Sequence, residues 1–183
     1  MKKIAVIVGS LRKESWNRKI ALELMALAPN TIQMDMIEIG KLPLYNQDLD
    51  NEKHLPKEWA EFRNSMREKD GVLFATPEYN RTIPAPIKNA IDVGSMPYGK
   101  SIWGGKASAV ISASPGAIGG FGANLQLRQS FVFLDILCMQ QPEAYISGVD
   151  KLFGADGKLN ENTKSFLKKY IDAYAAWVLK VTH

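Results

Sequence analysis

Short apolar runs alternate with longer amphipathic ones along the 183 residues. "KIAVIV" (Lys3 to Val8) is apolar at every position but its first, the pattern of a strand buried on both faces. From Asn17 to Ala28, Ile20, Ala21, Leu24, Met25 and Leu27 recur at helical spacing, and Pro29 stops the run. Ile32 to Ile39 alternates and predicts a more exposed strand near a sheet edge. A polar loop with two prolines, "KLPLYNQDLDNEKHLP", leads to a helix over Lys57–Lys69 and a buried strand over Gly71–Thr76. A helix over Pro84–Val93 follows, with proline at its start. The pattern closes with a strand over Lys106–Ala113, a strongly apolar helix over Ala123–Leu137, a fifth strand over Glu143–Ser147 and a helix over Asn160–Lys180.

Strands alternating with helices predict an α/β fold, a parallel sheet covered on both faces. At this size, and with no repeat or linker, the expected form is one domain over residues 1–183. Its sheet is a flavodoxin-like, doubly wound, five-stranded one of order 2-1-3-4-5. Ligands of such sheets bind beyond the carboxyl ends of the strands, where the winding reverses between strands 1 and 3. The loops after strands 1, 3 and 4 then meet: "GSLRKESWN", "PEYNRTIP" and "SPGAIGG".

Composition narrows the partners. The net charge of +4 is scattered, with no block of like charges, which suits small anions and argues against nucleic acid. A single cysteine, Cys138, allows no intrachain disulfide and no zinc site, so a reducing cytoplasm is the expected compartment. Cys138 itself reads as a small hydrophobe at the end of an apolar helix. The apolar start ends at Gly9 and is too short for a signal peptide, and no run is long enough for a membrane span.

The first loop reads G-S-x-R-x-x-S-x-N and opens a helix, where free N–H groups and the helix dipole favour an anion. Ser10, Ser15 and Asn17 add neutral donors and Arg12 a planar charged fork, a set that suits a phosphate monoester. Ser15 or Asn17 also reads as a plain N-cap. The loop lacks the P-loop signature, the G-x-G-x-x-G signature and any cysteine, which excludes P-loop NTPases, Rossmann dinucleotide folds and cysteine phosphatases. Prolines stiffen the second loop, where Tyr79 and Asn80 can frame a flat heterocycle. The third is rich in glycine, which allows close backbone approach to a ligand. His54 and His183 read as solvated surface groups, so no catalytic acid or base is assigned and no metal site.

These three motifs, in this order, resemble the NADPH-dependent FMN reductase family, in particular its soluble quinone and chromate reductase subgroup. The resemblance runs over nearly the whole chain. It implies a flavoenzyme with bound FMN and NADPH or NADH as hydride donor. Quinones are the implied acceptors, with azo compounds, chromate and free flavin as further ones. By position, Ser10, Arg12, Ser15 and Asn17 would hold the FMN phosphate. Pro77, Glu78, Tyr79 and Asn80 would line the isoalloxazine, with Ser114 and Gly116 closing the ring side and Trp16 at the ring or partner side. The chain departs from the family at Trp16, Ala85 and Val93. Two other readings fit an FMN-binding chain: a flavodoxin-type electron carrier and a redox-sensing interaction protein. The helix that carries Phe131, Phe133 and Leu137 is apolar nearly all round, which predicts a homodimer or homotetramer, as the resemblance also does.

Overall fold

The computed structural model describes residues 1–182. In chain order it contains β1 (Lys2–Val8), α1 (Trp16–Leu27), β2 (Ile32–Met36), α2 (Lys57–Arg67), β3 (Gly71–Thr76) and α3 (Ala85–Ser95). There follow β4 (Ala107–Ala113), α4 (Phe121–Phe133), β5 (Leu137–Cys138), β6 (Ala144–Ile146) and α5 (Glu161–Val181). The sheet is parallel, of order β2-β1-β3-β4-β5, with β6 also paired to β4. Val8 lies opposite Ala75, and Ala75 opposite Ile111, so the loops after β1, β3 and β4 leave the sheet at one level.

Alternation within the buried strands divides the core in two. Ile4, Val6, Val8, Leu73 and Ala75 face α1 and α5, whereas Ala5, Ile7, Val72 and Phe74 face α2, α3 and α4. The second half is anchored by Trp59 and Trp103, both fully buried. Their indole N–H groups donate to Pro43 O and Ile91 O, each at 2.9 Å, so neither buries an unpaired donor. No helix is long and apolar enough to cross a membrane among the described residues.

The region after β4 departs from the sequence expectation. The helix expected to reach Leu137 stops at Phe133, and Leu137 and Cys138 form a sixth, two-residue strand. Asp135 causes the stop. It adopts φ +54°, and the Ile136 N–H then donates back to Phe131 O at 3.1 Å, the closing bond of a Schellman turn. Phe131 is buried against the sheet, while Val132 and Phe133 are exposed. The expected fifth strand is β6, and the five residues between it and β5 leave the edge beside β4 open. Helix α4 fills that gap. Asn124 Nδ2 donates to Val110 O and Ala144 O, both at 3.3 Å, and Arg128 Nη1 to Met139 O at 2.8 Å. Cys138 is half-buried in β5, not at a helix end, and burial pushes its thiol pKa up.

The long polar loop before α2 is held by one buried ion pair. Arg63 donates through Nη1 and Nη2 to Asp50 at 2.7 and 2.8 Å and through Nε to Val93 O at 2.8 Å. The two side chains are 4% and 6% exposed. Asp50→Ala strands the guanidinium and is expected to cost about 3–5 kcal/mol in urea unfolding, with most of it recovered in the double variant Asp50→Leu/Arg63→Met. A loss below ~1 kcal/mol for the single change means that water reaches the guanidinium and the pair is only a surface bridge.

Candidate functional site

The first loop runs from Gly9 to Ser15. Gly9 has no room for a side chain: a Cβ would lie 2.6 Å from Ile87 Cδ1 and 2.8 Å from Pro84 Cγ, so its absence lets α3 start against the loop. Ser15 is the N-cap of α1, its hydroxyl accepting from the Arg18 N–H at 3.2 Å. From Ser10 to Asn17, no backbone N–H has an acceptor within the described residues. Arg12 is exposed and makes no ion pair among them. Ser10 is buried at the floor of the loop. A cup of unpaired N–H donors at a helix N-terminus, with a hydroxyl and a free guanidinium beside it, fits a phosphate dianion.

Asn17 is engaged differently from the expectation. Its Nδ2 donates to Ala113 O at 3.0 Å and its Oδ1 accepts from Ala113 N at 3.2 Å. The carboxamide thus ties the first loop to the end of β4, with one N–H left over. Trp16 stacks on Phe153 with ring centroids 5.5 Å apart, and Lys19 Nζ lies 4.5 Å above its ring. Of the other departures from the family, Val93 is in the core behind α3 and Ala85 is exposed at its start.

The second loop turns tightly. Tyr79 and Thr82 exchange backbone hydrogen bonds at 3.1 and 3.0 Å, with Asn80 and Arg81 at φ +51° and +65° between them. Both central residues are left-handed without being glycine, a conformation asparagine tolerates and arginine adopts only under constraint. Glu78, just before the turn, points to α4. Its Oε2 accepts from the Ala123 N–H at 3.1 Å and its Oε1 from Arg81 Nη1 at 3.3 Å. The N-cap of α4 is Gly120, which has no side chain, so Glu78 supplies the cap from another loop. Gly122 permits this approach: a Cβ there would lie 3.0 Å from Glu78 Oε2 and 2.9 Å from Arg81 O. In the third loop Ser114 Oγ accepts from the Gly116 N–H at 3.1 Å.

Eight of the expected site residues surround one cavity of about 110 Å³. Ser10, Arg12, Trp16 and Asn17 line it from the first loop, Pro77, Glu78 and Tyr79 from the second, and Ser114 from the third, beside Ala113 and Pro115. Ser15, Asn80 and Gly116 do not line it. Ser15 lies beneath as the cap, while Asn80 and Gly116 stand exposed in their turns. His54 is exposed and paired with Asn51 Oδ1 at 3.0 Å, and His183 lies outside the described residues. A larger cavity, about 590 Å³, opens on the opposite side of the first loop toward the end of β2. Ser10 and Arg12 line both. Its remaining polar lining, Arg18, Glu38 and Lys41, was not singled out from the sequence, where each reads as an ordinary surface charge.

A flavodoxin-like sheet with a cup of unpaired N–H groups after β1 and two further loops converging on it defines a doubly wound α/β protein with its ligand site at the carboxyl ends of the strands. The chain belongs to the NADPH-dependent FMN reductase family, whose model matches residues 2–151. It is 58% identical over 175 residues to a "Quinone reductase" of Pseudomonas putida, covering 96% of this chain and 94% of that one. It is 45% identical over 177 residues to the "2-hydroxy-1,4-benzoquinone reductase" of a Burkholderia species, covering 96% of each. Among solved structures, FerB from Paracoccus denitrificans, a flavoenzyme NAD(P)H:(acceptor) oxidoreductase, superposes over the full length of both chains with TM-score 0.92 and 40% identity.

Because Glu78 caps α4 from a neighbouring loop, Glu78→Ala is expected to lose ~1 kcal/mol of stability and to speed amide exchange at Ala123. Unchanged exchange there means that water replaces the carboxylate without loss.

Proposed function

We propose that this chain is an FMN-dependent NAD(P)H:quinone oxidoreductase that works by ping-pong two-electron transfer. The observation that carries the reading is the cup of unpaired N–H groups from Ser10 to Asn17 beside the unpaired Arg12, in a member of an FMN reductase family. The chemistry FMN supplies when bound is hydride uptake from NAD(P)H and two-electron delivery to an acceptor.

The residues do the rest. Ser10, Arg12 and the first-turn N–H groups of α1 hold the phosphate, with Ser15 and Asn17 fixing the loop that presents them. Pro77, Tyr79 and Asn80 form the stiff wall for the ring system, and Glu78 fixes that wall to α4. Ser114 and Gly116 bring the loop after β4 to the ring side, where the Ser114 hydroxyl, accepting from the Gly116 N–H, can turn its own O–H toward the ring edge. No side chain is needed as acid or base. Quinones are the acceptors this reading assigns, and their reduction in pairs of electrons distinguishes the chain from a flavodoxin-type carrier.

The small cavity also supports an oligomer. At about 110 Å³ it falls below the ~300–1,000 Å³ of typical ligand sites, so it can enclose only one end of a cofactor as large as FMN. Beside it Tyr79, Ile118, Phe121 and Leu125 are between 41% and 50% exposed. A second copy of the chain covering this apolar margin would complete the site, as a homodimer or as half of a homotetramer. A single cysteine, which can form no intrachain disulfide, suits a reducing cytoplasm.

Steady-state kinetics test the activity: NADPH oxidation should depend on added quinone, with parallel double-reciprocal plots. Intersecting plots would mean that both substrates bind together and would remove the ping-pong reading. Arg12→Ala should weaken FMN by ~1.5–3 kcal/mol and leave riboflavin, which has no phosphate, unaffected. Equal losses for the two ligands would take Arg12 out of the phosphate site. Light scattering should give a dimer or larger at micromolar concentration, and a species near the 20.3 kDa of one chain refutes the shared site.

A further inference from the structure

Helix α4 carries a cation that the flavin reading leaves unused. Arg128 lies beside the broken outer strand, partly buried, and makes no ion pair among the described residues. Its Nε donates to Asn124 Oδ1 at 2.9 Å, and its Nη1 donates to Met139 O at 2.8 Å and to Cys138 Sγ at 3.3 Å. Its Nη2 is sealed from solvent and has no hydrogen-bond partner. Three hydroxyls share that condition: Ser108 Oγ, Tyr145 Oη and Tyr170 Oη. Ser108 and Tyr170 are wholly buried residues.

The fold brings these groups to one place. Strand register sets Ser108 opposite Cys138 and Ser112 opposite Tyr145. Tyr170 comes from α5, on the other face of the sheet. β4 pairs with β5 only as far as Ser108 and with β6 only from Ile111, so Ala109 and Val110 have no strand beside them. Through that opening Tyr170 meets Arg128: burial pushes its phenol far up, and the Arg128 charge pulls it down. Burial and Glu143 push the Tyr145 phenol up to about 12, and Arg128 again pulls against them. Burial raises the Cys138 thiol, with Arg128 and then Ser108 opposing it.

All four unpartnered groups can donate a hydrogen bond, and no protein acceptor is offered to any of them. A water molecule would accept from some of them and leave the guanidinium uncompensated, which is unfavourable away from bulk solvent. Glu143 is exposed and forms no ion pair with Arg128. A monovalent anion accepts from every donor and neutralises the charge as well. Because the four atoms are closed off from solvent, the guest is small and round, a halide and not a phosphate or a carboxylate.

We propose that Arg128 Nη2 and the hydroxyls of Ser108, Tyr145 and Tyr170 bind a chloride ion in the opening of the sheet between β5 and β6. The ion ties α4 to α5 across the break in the outer strand, where no ladder of backbone hydrogen bonds does so.

The test moves the flavin-loaded protein from sodium gluconate into chloride or bromide at constant ionic strength, which holds general screening fixed. The melting temperature should rise with the logarithm of halide concentration, by about 3–5 °C per tenfold once the site begins to fill, as for a ligand that binds only the folded state. Tyr170→Phe keeps the cation and removes one donor, so the halide concentration needed should rise about tenfold or more. Arg128→Met should abolish the dependence; if that variant does not fold, Tyr170→Phe alone decides. Crystals soaked in bromide should show an anomalous peak in contact with Arg128 Nη2. No halide dependence of melting, a dependence unchanged in Tyr170→Phe, or bromide bound only elsewhere would overturn the proposal. A peak at Nη2 without the dependence in solution would mean an adventitious ion only, and overturns it equally.

Discussion

Asn17 joins two points of the chain 96 residues apart, and the geometry of the site follows from that junction. The first loop belongs to β1 and Ala113 ends β4, with β3 lying between the two strands. A single carboxamide gives and takes a hydrogen bond across that distance in a buried setting, where an unpaired group would cost about 1–3 kcal/mol. The loop can therefore afford to leave its own N–H groups without protein partners. Ser15 fixes where the helix starts, Asn17 fixes where the loop sits, and the donors between Ser10 and Asn17 stay free for an external anion.

The same division appears at α4. Its N-terminus carries no capping side chain of its own, and its carboxylate comes from the loop after β3. Two loops are thereby locked to one helix end, and the left-handed pair Asn80–Arg81 is held between them. Strain at that turn is maintained by three anchors: the backbone bridge from Tyr79 to Thr82, the Glu78 cap, and the hydrogen bond from Thr82 Oγ1 to Gln126 Oε1. The wall facing the cavity is rigid because its flexible part is spent on these contacts.

Most of the architecture was legible in the sequence because the central strands are apolar on both faces and the helices are periodic. The order of the sheet followed from alternation and size, and the three loops stood out by their residue types. What escaped depended on contacts far apart in sequence. Nothing near Asp135 announces a helix stop, since glycine usually takes that left-handed place and aspartate does so only when the surrounding turn closes on it. A two-residue strand such as Leu137–Cys138 has no periodicity to read. Asn17 and Glu78 were legible as site residues but not as joints, because their partners, Ala113 and Ala123, are backbone groups that any sequence would offer. Arg18, Glu38 and Lys41 carried no motif, and only the fold gathers them.

The broken outer strand has a consequence for how the molecule meets others of its kind. A continuous edge beyond β4 would expose a row of free N–H and C=O groups, ready to accept a strand from a neighbouring chain. Here that edge is two residues, then a loop, then three residues, and the intervening Val110 carbonyl is occupied by Asn124. No incoming strand finds more than a few aligned partners in a row. The side of the sheet that the fold could not finish is thus closed to fibre-like growth, and association is left to side-chain surfaces.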